Sequence, residues 1–413
     1  MAELAYDPNL MLNLGMILFA ALFSAAIAHK LRIPSVIGML FAGIVISTFF
    51  PSFVTGSKDI GFLGQLGAIL MLFVLGLQFE YTSFRKFGPK VFVLAGIACT
   101  ITFMSGILLG YLIGWDTSQS LLLAVIFVST STTIAVKIIE ENPGVWDKAG
   151  EDMTKAAVVL DDLFGFIAMI VVLSHIHGTS LVGSTVLLSA LLVPVFVFLI
   201  FLVGVHVMPK VFEVIDGVFP GNAFSFGTAF CLLLSFAVIS LNMSPLIGAF
   251  LAGTILTSTI KHDDVLKSIL PVRNLFATVF FVSVGMLIDT NMLSSILPIA
   301  ILVSLTAVFS KAIPFGIILS KFGVPPRDSA RFGIITGPRG EISLVIAQTA
   351  VFEGIVGVQF LAVATSLVLL TSIISALLLL GIRKPEVNGN PRLNRALDLR
   401  GSGKHSRAKR SAE

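Results

Sequence analysis

Between Leu10 and Ile382 the chain is a succession of apolar blocks, each roughly 17–25 residues long and set apart by short polar turns. That is the length an α-helix needs to cross the hydrocarbon layer of a bilayer. A backbone in hydrocarbon must satisfy its own hydrogen bonds, which restricts spanning structures to helices and closed barrels. A soluble core can hide one or two all-apolar helices, but not a whole series of them. With 56% hydrophobic and 12% charged residues in 413, the expected fold is an all-α polytopic membrane protein of about thirteen transmembrane helices.

The 27 Lys and Arg residues give a net charge of +4, and their placement decides what that basicity means. They gather at every second connection: Lys30 and Arg32; Arg85, Lys86 and Lys90; Lys148 and Lys155; Lys261, Lys267 and Arg273; Lys321, Arg327 and Arg331; then the tail from Arg383 onward. The alternate connections hold only Lys58. Positively charged connections stay cytoplasmic, so the N-terminus is expected outside the plasma membrane and the tail in the cytoplasm, which requires an odd number of spans. The charge is a matter of topology and implies no nucleic-acid partner. Glu3 and Asp7 stand where a cleavable signal would be basic, so the first helix is expected to remain. Cys99 and Cys231 lie inside apolar blocks and read as small packing residues rather than a disulfide or metal site.

The segment SVIGMLFAGIVI (Ser35 to Ile46) is echoed by PLIGAFLAGTIL (Pro245 to Leu256), and FVLGL around Gly76 by VSVGM around Gly285. Both echoes are offset by about 210 residues, so the chain divides into two halves of six helices with one helix between them. The expected boundaries are 10–176, a linking helix at 180–208, 222–382, and a basic cytoplasmic tail at 383–413. Because six is even and the link is single, the second half enters the bilayer from the opposite face. Inverted repeats of this kind give secondary transporters two equivalent end states around a site near the midplane.

Two blocks carry breaks at corresponding places. In the fifth, Ser129, Thr130, Ser131, Thr132 and Thr133 set five hydroxyl side chains in a row, which compete with helical hydrogen bonding. In the twelfth, Gly337, Pro338 and Gly340 interrupt the helix. Irregular backbone at membrane depth is tolerated where it is buried in protein or lines a polar cavity, and paired breaks in two halves point to a transport site.

An aspartate at the centre of a span costs on the order of 2.5–3.5 kcal/mol to insert. Asp161, Asp162, Lys311, Arg339 and Glu341 all sit at such depth and therefore need partners or water. Successive helical residues point about 100° apart, so Asp161 and Asp162 cannot both face one neighbour. One can pair with Lys311 while the other faces a wet cavity, where an ionised carboxylate is a hard oxygen ligand for a small cation and equally a proton acceptor. It cannot hold both, and exchange of a monovalent cation for a proton follows. Arg339 and Glu341 either compensate the half-helix dipoles beside the break or pair with each other.

The stretches VVLDDLFG, FSKAIPFG and GPRGEISLVIA, in this order, resemble the monovalent cation/proton antiporter superfamily, nearest its NapA-like sodium/proton branch. The resemblance covers nearly the whole membrane region. It implies a homodimer in membrane lipid, with crossed broken helices in a core domain (88–176 and 292–382) that moves like an elevator against a dimerisation domain formed by the remaining helices. It also implies that Asp162 binds the transported Na+ or K+, that Asp161 pairs with Lys311, that no cofactor is needed, and that a double aspartate goes with electrogenic exchange. The run STSTT is closer to the potassium-efflux relatives, which keeps K+/H+ exchange as the second expectation. Those relatives usually lack the first aspartate and carry a nucleotide-sensing domain, where this chain has about thirty polar, basic residues without a dinucleotide motif.

Enzyme classes are excluded by what the motifs lack. An intramembrane aspartyl protease needs its acids on facing helices, and a membrane metalloprotease needs His-Glu-x-x-His. A sodium-coupled solute symporter would need a second polar pocket, and outside the charged cluster the spans offer little beyond Asn242 and Gln348.

Overall fold

The computed structural model describes residues 8–30, 35–50, 58–78, 88–140, 147–176, 186–219, 221–240, 243–259, 262–288 and 293–381. These form fifteen helices and no strand: α1 (Pro8–Lys30), α2 (Ser35–Phe49), α3 (Lys58–Leu77), α4 (Pro89–Leu112), α5 (Thr117–Val128), α6 (Thr132–Glu140), α7 (Lys148–Ile176), α8 (Val186–Val218), α9 (Ala223–Ile239), α10 (Pro245–Leu256), α11 (His262–Met286), α12 (Leu293–Lys321), α13 (Pro326–Ile335), α14 (Glu341–Phe352) and α15 (Val358–Gly381). One compact unit ends at Ser375 and a second begins at Ala376. The expected tail, 383–413, lies outside the described residues.

Eight of the helices are long and apolar enough to cross a membrane, and five more are apolar but shorter. Apolar side chains cover their outer faces: Phe19 and Leu22 on α1, and Val203 and Val214 on α8, are each at least 64% exposed. Water would penalise such faces and lipid does not, so the exposure follows from the solvent for which the sequence is built.

The expected fifth and twelfth spans are each two helices. A 12-residue α5 is about 18 Å long, too short for a core of about 30 Å, and α6 supplies the remainder. The pair α13 and α14 repeats the device. The helix between the halves also departs from its expected bounds of 180–208. Its expected start lies outside the described residues, and its end is at Val218 rather than 208. Pro209 and the charges Lys210, Glu213 and Asp216 lie beyond the expected end, and the helix continues through them as a polar-tipped extension.

Two sets of helices pack mainly within themselves. In one, α4 lies against α5, α7 and α12, α5 against α7 and α14, and α12 against α13. In the other, α3 lies against α10 and α11, α2 against α1 and α11, and α9 against α10. The echoed glycines account for the closeness of the second set. A Cβ on Gly43 would strike the Val282 carbonyl and the Cα of Gly285, and a Cβ on Gly253 would strike the Phe73 carbonyl and the backbone of Gly76. Each motif of one half thus packs on the other motif of the other half. Replacing Gly43 with valine forces α2 and α11 apart and is expected to cost about 1–3 kcal/mol. A lower melting temperature of the purified protein in detergent would show it; an unchanged one would mean that the helices separate freely.

Candidate ion-binding site

The site begins with two helix ends that cannot satisfy themselves. Chain 129–131 between α5 and α6, and 337–340 between α13 and α14, are not helical. The two breaks cross and complete one another. The Ser131 amide donates to the Pro338 carbonyl at 2.8 Å, and a Cβ on Gly340 would stand 3.1 Å from the Ser131 Cα. Proline lacks an amide hydrogen, but its carbonyl still accepts, and here it takes an amide that α6 leaves unused. Ser343, in the first turn of α14, donates to the Ile126 carbonyl at 3.3 Å.

The charges are arranged around these ends. Asp161 and Lys311 are both 0% exposed and form an ion pair, with Nζ 2.8 Å from Oδ2. The same ammonium donates to the carbonyl of Val128, the last residue of α5, at 3.2 Å. Arg339, also fully buried, donates to the Ala307 carbonyl at 2.6 Å and to the Thr130 hydroxyl at 3.4 Å, and Thr130 in turn donates to Asp161 Oδ2 at 3.0 Å. Its backbone amide is taken by the Thr371 hydroxyl at 3.1 Å. Two cations therefore stand at the C-terminal end of α5, where carbonyls are unpaired and the dipole is negative. At the opposite, positive ends are acids. Asp162 meets the start of α6 through Thr132, whose hydroxyl donates to Oδ2 at 2.7 Å, and Glu341 begins α14. No ion pair joins Arg339 to Glu341 among the described residues.

Asp162 differs from its neighbour. It is half-buried, and its Oδ1 atom is shielded yet accepts no hydrogen bond from the protein. Ser129 Oγ is likewise buried and unpartnered, on the face of the break that packs against Gly165 of α7. Ser131 and Thr132 are half-buried beside it, and the side chain of Thr133 is outside the described residues. Oxygen atoms without donors suit a small hard cation, which needs lone pairs and brings no hydrogen. Gly337 packs under the break, where a Cβ would press on the Ser375 hydroxyl.

One participant was not expected. Cys99, read from the sequence as a packing residue, stands in the ion-pair network, 3.1 Å from Asp161 Oδ1 and 3.3 Å from Lys311 Nζ. Nothing local in α4 signals this, because its partners lie on helices far along the chain. Cys231 is buried and free. Away from the site, a cavity of about 380 Å³ lies among α3, α10, α11 and α14, with Gln65, Gln348 and Glu353 on an otherwise mostly apolar wall.

A shielded acid beside crossed half-helix ends, in an all-helical membrane protein, defines an ion-coupled secondary transporter. The sequence comparison makes the class specific: the chain belongs to the sodium/hydrogen exchanger family, whose transmembrane model matches residues 17–380. The family comprises transporters and not enzymes. A Na+/H+ antiporter of Enterococcus hirae is 29% identical over 374 residues, covering 89% of this chain and 96% of that protein. The K+/H+ antiporter subunit KhtU of Bacillus subtilis is 24% identical over 356 residues, covering 84% and 87%. Among solved structures, the sodium proton antiporter MjNhaP1 of Methanocaldococcus jannaschii superposes with a TM-score of 0.68 at 18% identity, covering 89% of this chain and 96% of that one. At that identity the likeness carries the fold.

Proposed function

We propose that the chain exchanges Na+ for H+ across the plasma membrane, with the two ions taking turns at Asp162. The observation that carries this reading is the Oδ1 atom of Asp162, shielded and without a donor, while Asp161 beside it is fully engaged by Lys311, Thr130 and Cys99. A carboxylate so placed is unstable when empty and charged. It gains by taking up either a cation or a proton, and movement only when loaded couples the two fluxes.

The rest of the reading builds on the fold. The reciprocal contacts of Gly43 with Gly285 and of Gly253 with Gly76 support two repeated halves, inverted by the single linking helix. Taking each broken pair as one crossing and every other described helix as one, thirteen crossings are counted among the described residues, an odd number consistent with an outside N-terminus and a cytoplasmic C-terminus. The mutual packing of α4 to α7 with α12 to α14 supports a core that moves as a body, the elevator, against a dimer formed through the other helices, whose outer faces lie in lipid. Potassium in place of sodium is the second reading, favoured by the hydroxyl run Ser129 to Thr133 and by the similarity to KhtU.

The test is reconstitution of the full chain into liposomes with an internal pH dye, adding Na+, Li+ and K+ in turn. Na+ and Li+ are expected to dissipate an imposed proton gradient and K+ to do so weakly. A response to K+ alone would transfer the reading to potassium, and a response to none of the three would overturn exchange altogether.

A further inference from the structure

The Lys311 ammonium has three hydrogens and three acceptors. These are Asp161 Oδ2 at 2.8 Å, the Val128 carbonyl at 3.2 Å and Cys99 Sγ at 3.3 Å. Cys99 is 5% exposed, and its own hydrogen goes to Asp161 Oδ1 at 3.1 Å. It is therefore acceptor to the cation and donor to the anion of one ion pair, and it occupies the carboxylate oxygen that Lys311 and Thr130 do not use. Without it, an ammonium hydrogen and a carboxylate oxygen would both lack partners in a dry interior, where each such loss is costly. The unmet acceptor on the residue next to Asp161 is Asp162 Oδ1.

We infer that Cys99 is a positioning residue: it ties the Lys311 ammonium to Asp161 and so keeps Asp162 clear for the transported cation. The inference rests on Asp162 being the cation's ligand. A thiol suits the task because sulfur is a weak acceptor. It completes the coordination of the lysine without competing with the carboxylate for it. With one hydrogen unmet, the ammonium is held only by Asp161 Oδ2 and the Val128 carbonyl and competes with Na+ for the neighbouring carboxylate, so the loss appears as weaker apparent affinity rather than slower turnover.

The experiment measures KM and maximal rate for Na+ in proteoliposomes for the wild type, Cys99→Val, Cys99→Ala and Cys99→Ser. Valine keeps the volume and loses both hydrogen bonds; serine keeps a donor and an acceptor. Valine and alanine are each expected to raise KM about three- to tenfold, with the maximal rate within about twofold, and serine to restore most of the affinity. In an Asp161→Asn, Lys311→Met background, which leaves no buried charge unpaired, Cys99→Val is expected to change KM no further, because the rival is gone. A valine variant that matches the wild type while alanine does not would assign Cys99 to packing and overturn the inference. So would a serine variant no better than valine, or the same shift persisting without Lys311. Should Cys99→Val fail to fold, the alanine and serine pair decides on the same terms. The wild type separates the two levels of argument: if it does not exchange, the proposed function fails, whereas an active wild type with an unmoved Cys99→Val removes this inference alone.

Discussion

Asp162→Asn is expected to abolish exchange of every cation tested while leaving the protein folded. The substitution keeps the shape of the side chain and an acceptor for the Thr132 hydroxyl, which stands 2.7 Å from Oδ2. What disappears is the negative charge on Oδ1, the atom to which the protein supplies no donor. A neutral amide neither binds a proton near neutral pH nor attracts a bare cation strongly enough to replace its water. The rate should fall at least about a hundredfold, equivalent to about 2.7 kcal/mol at tenfold per 1.36 kcal/mol. Stability should hold or rise, since shielding a charge without partners is unfavourable to begin with. Proton flux in the reconstituted system measures the first effect and thermal melting in detergent the second. Full activity in this variant would remove Asp162 from the mechanism. Loss of activity together with loss of folding would show the acid to be structural.

That prediction draws on residues that stand out in the sequence because a bilayer penalises them. Asp161, Asp162, Lys311 and Arg339 are conspicuous wherever the surroundings are apolar, and hydroxyl runs or Gly-Pro pairs in mid-span announce breaks by local chemistry. The all-helical fold was legible for the same reason, since apolar blocks of spanning length leave few alternatives. What pairs with what was less legible. The Ser131 amide and the Pro338 carbonyl meet because two breaks cross, a fact that no local pattern carries. Arg339 and Glu341 lie two apart and look like partners, yet the guanidinium turns to the Ala307 carbonyl and the Thr130 hydroxyl near the end of α5. Cys99 was invisible because a cysteine among apolar neighbours is most often there to pack, and its role depends on α7 and α12 lying beside α4. The end of α8 lies beyond 208 because a helix can extend past the apolar stretch that marks it, into polar residues that hydropathy does not count.

Lys311→Ala should produce the largest loss of stability of any single change in the site. The ammonium is fully buried, and its removal leaves the Asp161 carboxylate charged, at 0% exposure, with only the Thr130 and Cys99 donors. Breaking a buried pair from one side costs about 3–5 kcal/mol, whereas removing both charges is often close to neutral. The double variant Asp161→Asn, Lys311→Met is therefore expected to recover most of the stability lost in Lys311→Ala. Thermal melting of Lys311→Ala, Lys311→Met, Asp161→Asn and the double variant beside the wild type makes the comparison. Additive losses would mean that the two residues do not depend on one another, contrary to the 2.8 Å contact. The same variants test what the pair does in transport. If Lys311 exchanges its proton as Asp162 exchanges its cation, the charge moved per cation must change when the lysine is absent, and current measured against cation flux reports that ratio directly. An unchanged ratio would confine Lys311 to holding Asp161 in place, and would leave Asp162 as the site of the whole exchange.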